Sequence, residues 1–179
     1  TPNYESPADS DSNNSYVVVV TVTDNGSLTD TQTLMVTITD VNEAPVITSN
    51  GGGSSGSISY AENGTSTVTT VTSTDDASST ATYSISGTDA NDFSINSSSG
   101  ALSFISSPNY ESPTDSDSNN SYEVVVTVTD NTSLTDTQTL TITVNDENEA
   151  PVITSNGGGS SAGISYSENG TSTVTTVTS

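Results

Sequence analysis

The chain has 179 residues and a formal charge of −22, with no lysine, arginine, histidine or cysteine. Nucleic acid and anionic membranes need a basic surface, so both are excluded as partners. The missing side chains also exclude disulfides, thiolate and imidazole metal sites, Ser-His catalysis, Schiff-base chemistry and Lys-Asn isopeptide bonds. Hard, oxygen-ligated cations are what remains for the acids to hold, calcium before magnesium.

No apolar run approaches the ~20 residues of a membrane helix, and no signal peptide is visible. Internal repetition dominates instead. "PNYESP" begins at 2 and at 108, "NEAPVITSNGGGSS" at 42 and 148, and "ENGTSTVTTVTS" at 62 and 168, all offset by 106 residues. Near-identity at a fixed period marks a tandem array. Three pieces follow: 1–44 as the C-terminal part of one repeat, 45–150 as a complete repeat, and 151–179 as the N-terminal strands of a third. Both ends fall inside a repeat, and half a sandwich cannot bury its core. The chain is therefore expected to be a segment of a longer protein.

In chain order, the complete repeat reads as strands. "STVTTVTS" (66–73) breaks strict alternation, with Val68 and Val71 three apart, so a bulge is expected there. "ATYSIS" aligns Tyr83 with Ile85, "NDFSIN" aligns Phe93 with Ile95, and "ALSF" aligns Leu102 with Phe104. "YEVVVTVTD" (122–130) puts Tyr122, Val124, Val126 and Val128 on one face. "LTITVND" (140–146) does the same with Leu140, Ile142 and Val144, leaving Thr141 and Thr143 opposite. Turn signals separate the runs at Gly51–Gly53, Asn63-Gly64, Gly87, Gly100 and Asn131. No stretch has helical spacing. About seven short strands in some 100 residues indicate a Greek-key β-sandwich.

The acids fall at strand ends and loops: Glu62 after the first strand, Asp75 and Asp76 after the second, Glu111 before the sixth, Asp130 at its end, and Asp146–Glu149 after the seventh. In a sandwich these positions gather at two poles. Glu62, Glu111 and the 146–149 run share the C-terminal pole; Asp75, Asp76 and Asp130 share the N-terminal one. Stacking repeats end to end sets one against the next.

These residues resemble those of a family. "SYAENGT" (59–65), "VTSTDDAS" (71–78), the run 83–104, "PNYE" (108–111), "VVVTVTD" (124–130) and "DVNEAP" (40–45) resemble, in order and at compatible spacing, the motifs of a cadherin-type repeat in the form found in large bacterial surface adhesins. The resemblance implies a seven-stranded, immunoglobulin-like Greek-key sandwich with two or three Ca2+ ions clamped at each junction. Carried over by position, one junction combines Asn3, Glu5, Asp40, Asn42 and Glu43 with Asp75, Asp76 and Asp130. The next uses Glu62, Asn109, Glu111, Asp146, Asn148 and Glu149, and Asp24 serves one upstream. The sequence departs from the pattern in three ways. Asn3 and Asn109 replace an aspartate, Ala77 stands where the second Asp of Asp-x-Asp is expected, and the linker is one residue short.

Ordinary explanations cover other motifs. "DSDSNNS" (115–121), with Asp115 and Asp117, resembles the start of an EF-hand loop but lacks its glycine and terminal glutamate; like Asp9 and Asp11 it reads as a polar loop. Seven Asn-x-Ser/Thr sequons follow from composition. Threonine ladders such as Thr139/Thr141/Thr143 suit a solvent-facing strand. Paired carboxylates can serve catalysis, but here they map to repeat junctions, so no enzyme is expected. The expected function is a calcium-stiffened extracellular rod or fibre at a cell surface, with neighbouring repeats as partners and adhesion as its role. Two alternatives stay open: a filament or sheath assembled through lateral contacts between copies, and a glycan-binding module.

Overall fold

The computed structural model describes residues 1–76 and 79–179. It divides into two compact units, Thr1–Asn145 and Asp146–Ser179. Among the described residues of the first, eleven strands form: β1 (Ser15–Thr23), β2 (Thr29–Thr37), β3 (Val46–Ile47), β4 (Ser55–Ala61), β5 (Thr69–Thr70), β6 (Ser73–Thr74), β7 (Thr82–Ser86), β8 (Phe93–Ile95), β9 (Ala101–Phe104), β10 (Ser121–Thr129) and β11 (Thr135–Asn145).

β3 to β11 build the sandwich. One sheet has the order β4-β11-β10-β7 and the opposing layer consists of β5-β9-β8 with the short β3-β6 pair. Counting β3 with β4 and β5 with β6 as split strands, the count is seven, as the sequence predicts. β4 runs parallel to β11, with Ile58 opposite Ile142, whereas β10 pairs antiparallel with both β11 and β7. The break between β5 and β6 falls at Val71, whose side chain is buried and whose N–H bonds Gly100 O at 2.9 Å. This is the interruption expected from the Val68/Val71 spacing.

The alternating faces become the core. Tyr122, Val124, Val126, Val128, Leu140, Ile142 and Val144 are all buried, with Tyr83 beside them on the same sheet and Phe93 and Leu102 facing them from the other layer. Phe104 stacks on Phe93 at 4.2 Å between ring centres and meets Tyr122 edge-on at 5.1 Å. Burying each such side chain is worth roughly 1.5–3 kcal/mol, which lets a repeat without cysteine hold together. Gly100, at φ +70, closes the turn before β9 so tightly that a Cβ there would meet Val71 O at 2.1 Å.

β1 and β2 form an antiparallel hairpin whose sequence repeats β10 and β11. Its apolar faces are open: Val18, Val20 and Val22 are 47%, 48% and 64% exposed, where their counterparts Val124, Val126 and Val128 are 0%. Among the described residues the hairpin has no opposing layer.

In the second unit, no strand forms over 151–179 among the described residues; only a short 3-10 turn, Ser155–Gly157, is regular. The strands expected there lack their ladder partners, since β4 depends on β11 and β5 on β9. Local contacts of the repeat persist nonetheless. Tyr166 OH donates to Ser172 O at 2.6 Å, as Tyr60 OH does to Ser66 O at 2.7 Å. Thr175 Oγ1 donates to Asn156 Oδ1 at 2.9 Å, as Thr69 does to Asn50 at 2.9 Å.

Candidate metal centre

The linker 40–45 leaves the β1–β2 hairpin and enters β3. β3 is set in place at both ends of its pairing: Val46 lies opposite Thr74, and Ile47 N–H donates to Asp136 Oδ2 at 2.8 Å. Asp75 and Asp76 follow β6 directly, so they arrive beside the linker. Asp130 ends β10 and starts the turn into β11. Three strand ends therefore converge with the linker at the N-terminal pole.

Asn42 and Glu43 are held there. Asn42 Nδ2 donates to Asp130 Oδ2 at 2.6 Å, to Thr132 Oγ1 at 3.0 Å and to Glu43 O at 2.8 Å. Glu43 N–H donates to Asp76 Oδ2 at 3.2 Å. Around them, carboxylate oxygens of Glu5, Asp40 and Glu43 lie within 4.8 Å of one another, all three residues being exposed. Like charges so close raise one another's proton affinity. Desolvation, then the carboxylates of Glu5, Asp76 and Asp40, push the Glu43 carboxyl above its ordinary range. Asp130 moves the other way. Desolvation opposes its charge, but hydrogen bonds from Asn42, from the Thr132 hydroxyl and from the N–H groups of Leu134 and Thr132 outweigh it and hold its carboxyl low.

This donor set fits a hard cation. Every side chain offers oxygen, as calcium requires. Asp75 Oδ2 is buried with no hydrogen-bond partner, while its Oδ1 accepts Asp76 N–H at 2.9 Å. No basic residue exists in the chain to compensate the charge. Glu5, Asp40 and Glu43 bring carboxylate oxygens close enough to hold one such ion, with Asp130 and Asp76 bonded to Asn42 and to the Glu43 N–H beside them. Asn42 uses its amide N–H groups to position Asp130, and its Oδ1 is the atom left to ligate.

Asn3 is placed differently. Its Oδ1 accepts Ser6 N–H at 2.8 Å, and Asn109 Oδ1 accepts Ser112 N–H at 2.9 Å. Both acceptors close their own Asx turns. Ala77 lies outside the described residues.

At the C-terminal pole of the first unit, Glu62 is 3% exposed and its Oε2 accepts Tyr110 N–H at 2.8 Å. Its backbone N–H bonds Asn145 O at 3.1 Å, which ties it to the end of β11. A Glu111 carboxylate oxygen lies within 4.8 Å of one from Glu62. Asp146, Asn148 and Glu149 belong to the second unit and are exposed. Asp24 caps the β1–β2 turn, accepting the N–H groups of Gly26 and Leu28 at 2.8 and 2.9 Å, as Asp130 does for its own turn.

Sequence reasoning missed two anchoring acids. Asp136 holds Ile47. Asp89, 4% exposed, accepts the N–H groups of Ser116 at 2.9 Å and Glu123 at 2.7 Å. A strand-interior Asp in a threonine-rich run, and an Asp after a glycine turn, were the available signals.

The sequence profile of the cadherin domain matches residues 56–145, half of the chain. The chain belongs to the cadherin family. Cadherin domains are extracellular, generally non-enzymatic adhesion modules, and they bind Ca2+ in general. The match spans Glu62, Asp75, Asp76, Glu111 and Asp130; the linkers at 40–45 and 146–151 lie outside it.

The fold is likewise that of protocadherin extracellular regions. Protocadherin Gamma B7 cadherin domains 1–4 align at 23% identity and TM-score 0.59, over 84% of this chain and 37% of that one. Protocadherin Gamma B2 domains 3–6 give 21% and 0.60, over 84% and 38%. Human protocadherin-24 domains 1–2 give 21% and 0.50, over 64% and 49%. This cadherin chain spans less than half the length of each. No curated protein matches it. Among the described residues no helix is long and apolar enough to cross a membrane.

Proposed function

We propose that the chain is a calcium-stiffened structural and adhesion segment, of the kind found in bacterial cadherin-like surface adhesins, in which tandem sandwiches form a rod. The observation that carries this reading is the bridging of the linker to the next sandwich. Asn42 reaches Asp130 and Glu43 reaches Asp76 inside an acidic pole that has no basic side chain to neutralise it.

Glu5, Asp40 and Glu43 from one side and Asp75, Asp76 and Asp130 from the other would hold the ions, with Asn42 positioned between them; Asn3 contributes through its turn. Glu62, Asn109, Glu111, Asp146, Asn148 and Glu149 would form the equivalent set for the following junction. Bound calcium supplies the positive charge that removes the repulsion among these acids. Two or three ions per junction are proposed. The domain borders proposed are those of the 106-residue period, with a complete repeat over 45–150.

Without ions the acids repel and the linker hinges; with them the two poles close on one another and proteolysis is slowed. Melting and limited proteolysis of the chain in calcium and in EDTA test this. The expected result is a higher melting temperature and slower cleavage near 40–45 with calcium; identical behaviour in EDTA refutes it.

A second reading is lateral self-assembly into a filament or sheath. Protocadherin gamma B7 domains 3–6 form a cis-dimer. Concentration-dependent scattering separates this reading from the first.

A further inference from the structure

Six buried side-chain atoms among the described residues lack a hydrogen-bond partner, and four of them sit in one loop and its copy: Asp115 Oδ1 and Asn120 Oδ1, and, 106 residues earlier, Asp9 Oδ1 and Asn14 Oδ1. Asp115 is 4% exposed and Asn14 is 9%. We propose that the Asp115–Asn120 loop, and its copy Asp9–Asn14, each bind one hard divalent cation, calcium, apart from the repeat junctions.

The orientation of each side chain is fixed by its other atom. Asn120 Nδ2 donates to Tyr110 O at 2.9 Å, and Asn14 Nδ2 donates to Tyr4 O at 2.9 Å, so in both loops it is the amide oxygen that is left over. Asp115 Oδ2 accepts Asn119 N–H at 2.7 Å, and Asp9 Oδ2 accepts Asn13 N–H at 2.8 Å, which leaves Oδ1 orphaned each time. Asp117 adds a carboxylate two residues on, one oxygen of which accepts Asn119 Nδ2 at 2.8 Å; Asp11 does the same for Asn13 at 2.7 Å. An ionised carboxylate oxygen and an amide oxygen, both acceptors only, cannot satisfy each other. A buried, unpaired charge is costly, and no lysine, arginine or histidine exists to pair with it.

The surroundings add negative charge. Asp89 is buried beside the loop, bound to the N–H of Ser116, and Asp89, Asp117 and Glu123 line an open cleft of about 260 Å³. Ser116, next to Asp115, and Asn119, next to Asn120, also line that cleft. In the copy, Val17 replaces Glu123, so the 115–120 loop is the tighter of the two. All donors are oxygens, as calcium and magnesium require; the flexible, mixed carboxylate and amide set favours calcium.

The test uses the whole 179-residue chain, freed of metal and titrated with calcium by equilibrium dialysis. Both junction sets are first disabled by combining Glu5→Gln, Glu43→Gln and Asp130→Asn with Glu62→Gln, Glu111→Gln and Glu149→Gln. That chain is expected still to bind two ions. Asp9→Asn with Asp115→Asn should abolish binding. Asp11→Asn with Asp117→Asn, which alter exposed side chains and spare the fold, should weaken it at least tenfold. Failure of the junction-disabled chain to bind calcium, or unchanged binding in the Asp11/Asp117 pair, overturns the proposal. So does a crystal structure in excess calcium with only water between Asp115 and Asn120.

Discussion

Asn42 Nδ2 donates to Asp130 Oδ2 at 2.6 Å, joining two residues 88 positions apart in the chain. The bond ties a linker outside the sandwich to the turn between its last two strands. A charge-assisted bond of this length is among the stronger ones, and Asp130 also accepts two backbone N–H groups of its own turn.

The two partners should therefore respond differently to mutation. Asp130→Ala strips acceptors from the β10–β11 turn and removes a proposed ion ligand, so it is expected to lower the melting temperature in EDTA and also to remove the calcium-induced gain. Asn42→Ala removes the bridge and the Oδ1 proposed to ligate but leaves the β10–β11 turn intact. It should cost no more than about 1 kcal/mol in EDTA and abolish most of the calcium-induced gain in melting temperature. Paired thermal denaturation of both variants checks this.

The Glu43 carboxyl, pushed up by desolvation and by Glu5, Asp76 and Asp40, makes metal-free stability depend on pH in a defined direction. A carboxyl whose folded proton affinity exceeds its unfolded one stabilises the fold when protonated, and that contribution is lost as pH rises through the folded value. In EDTA, Glu43→Gln should thus melt above the parent at pH 7 and lose that advantage near pH 4. In calcium at pH 7 the order should reverse. Asp130 has the opposite sign: its carboxyl is held low, so its contribution is present above the ordinary aspartate range and lost as pH falls through the folded value.

Asp136 offers a contrast. Its carboxylate accepts the Ile47 N–H at 2.8 Å and plays no part in the acidic pole. Asp136→Ala should destabilise the sandwich by about 1–3 kcal/mol, the cost of an unsatisfied buried donor, equally in calcium and in EDTA. A calcium-dependent difference measured by denaturant titration would show that the pole extends further than described.

Gly100→Ala tests the turn before β9. The added Cβ would meet Val71 O at 2.1 Å, and φ is +70. Backbone atoms cannot swing away as a flexible side chain can, so a loss of about 3 kcal/mol or more is expected, measured by chemical denaturation.

Much of this was legible in the sequence because period-2 alternation and burial coincide: Tyr122, Val124, Val126 and Val128 were read as one face and are all buried. The gathering of Asp75, Asp76 and Asp130 at one pole was legible from their places at strand ends. Asn3 and Asn109 were less so, because an Asn side chain can close its own Asx turn as readily as face a neighbour, and both do. The turn expected at Asn131 forms, but the left-handed residue in it is Ser133, at φ 75. Asp136 and Asp89 escaped notice because an acid spent on a distant backbone N–H leaves no periodic mark. The bare loop of residues 115–121 looked merely polar because orphaned oxygens are visible only once partners are assigned. Local sequence predicts strands over 151–179, whereas ladders need partners, and none forms there among the described residues.

The central claim is that the acids around "DVNEAP" are neutralised by ions shared between two repeats. Anomalous diffraction from crystals of the chain grown in calcium tests it most directly. The account requires at least one ion at roughly 2.3–2.6 Å from oxygens contributed both by Glu5, Asp40 or Glu43 and by Asp75, Asp76 or Asp130. Saturating calcium with no anomalous peak at that pole, or an ion touching only one side of it, would contradict the account.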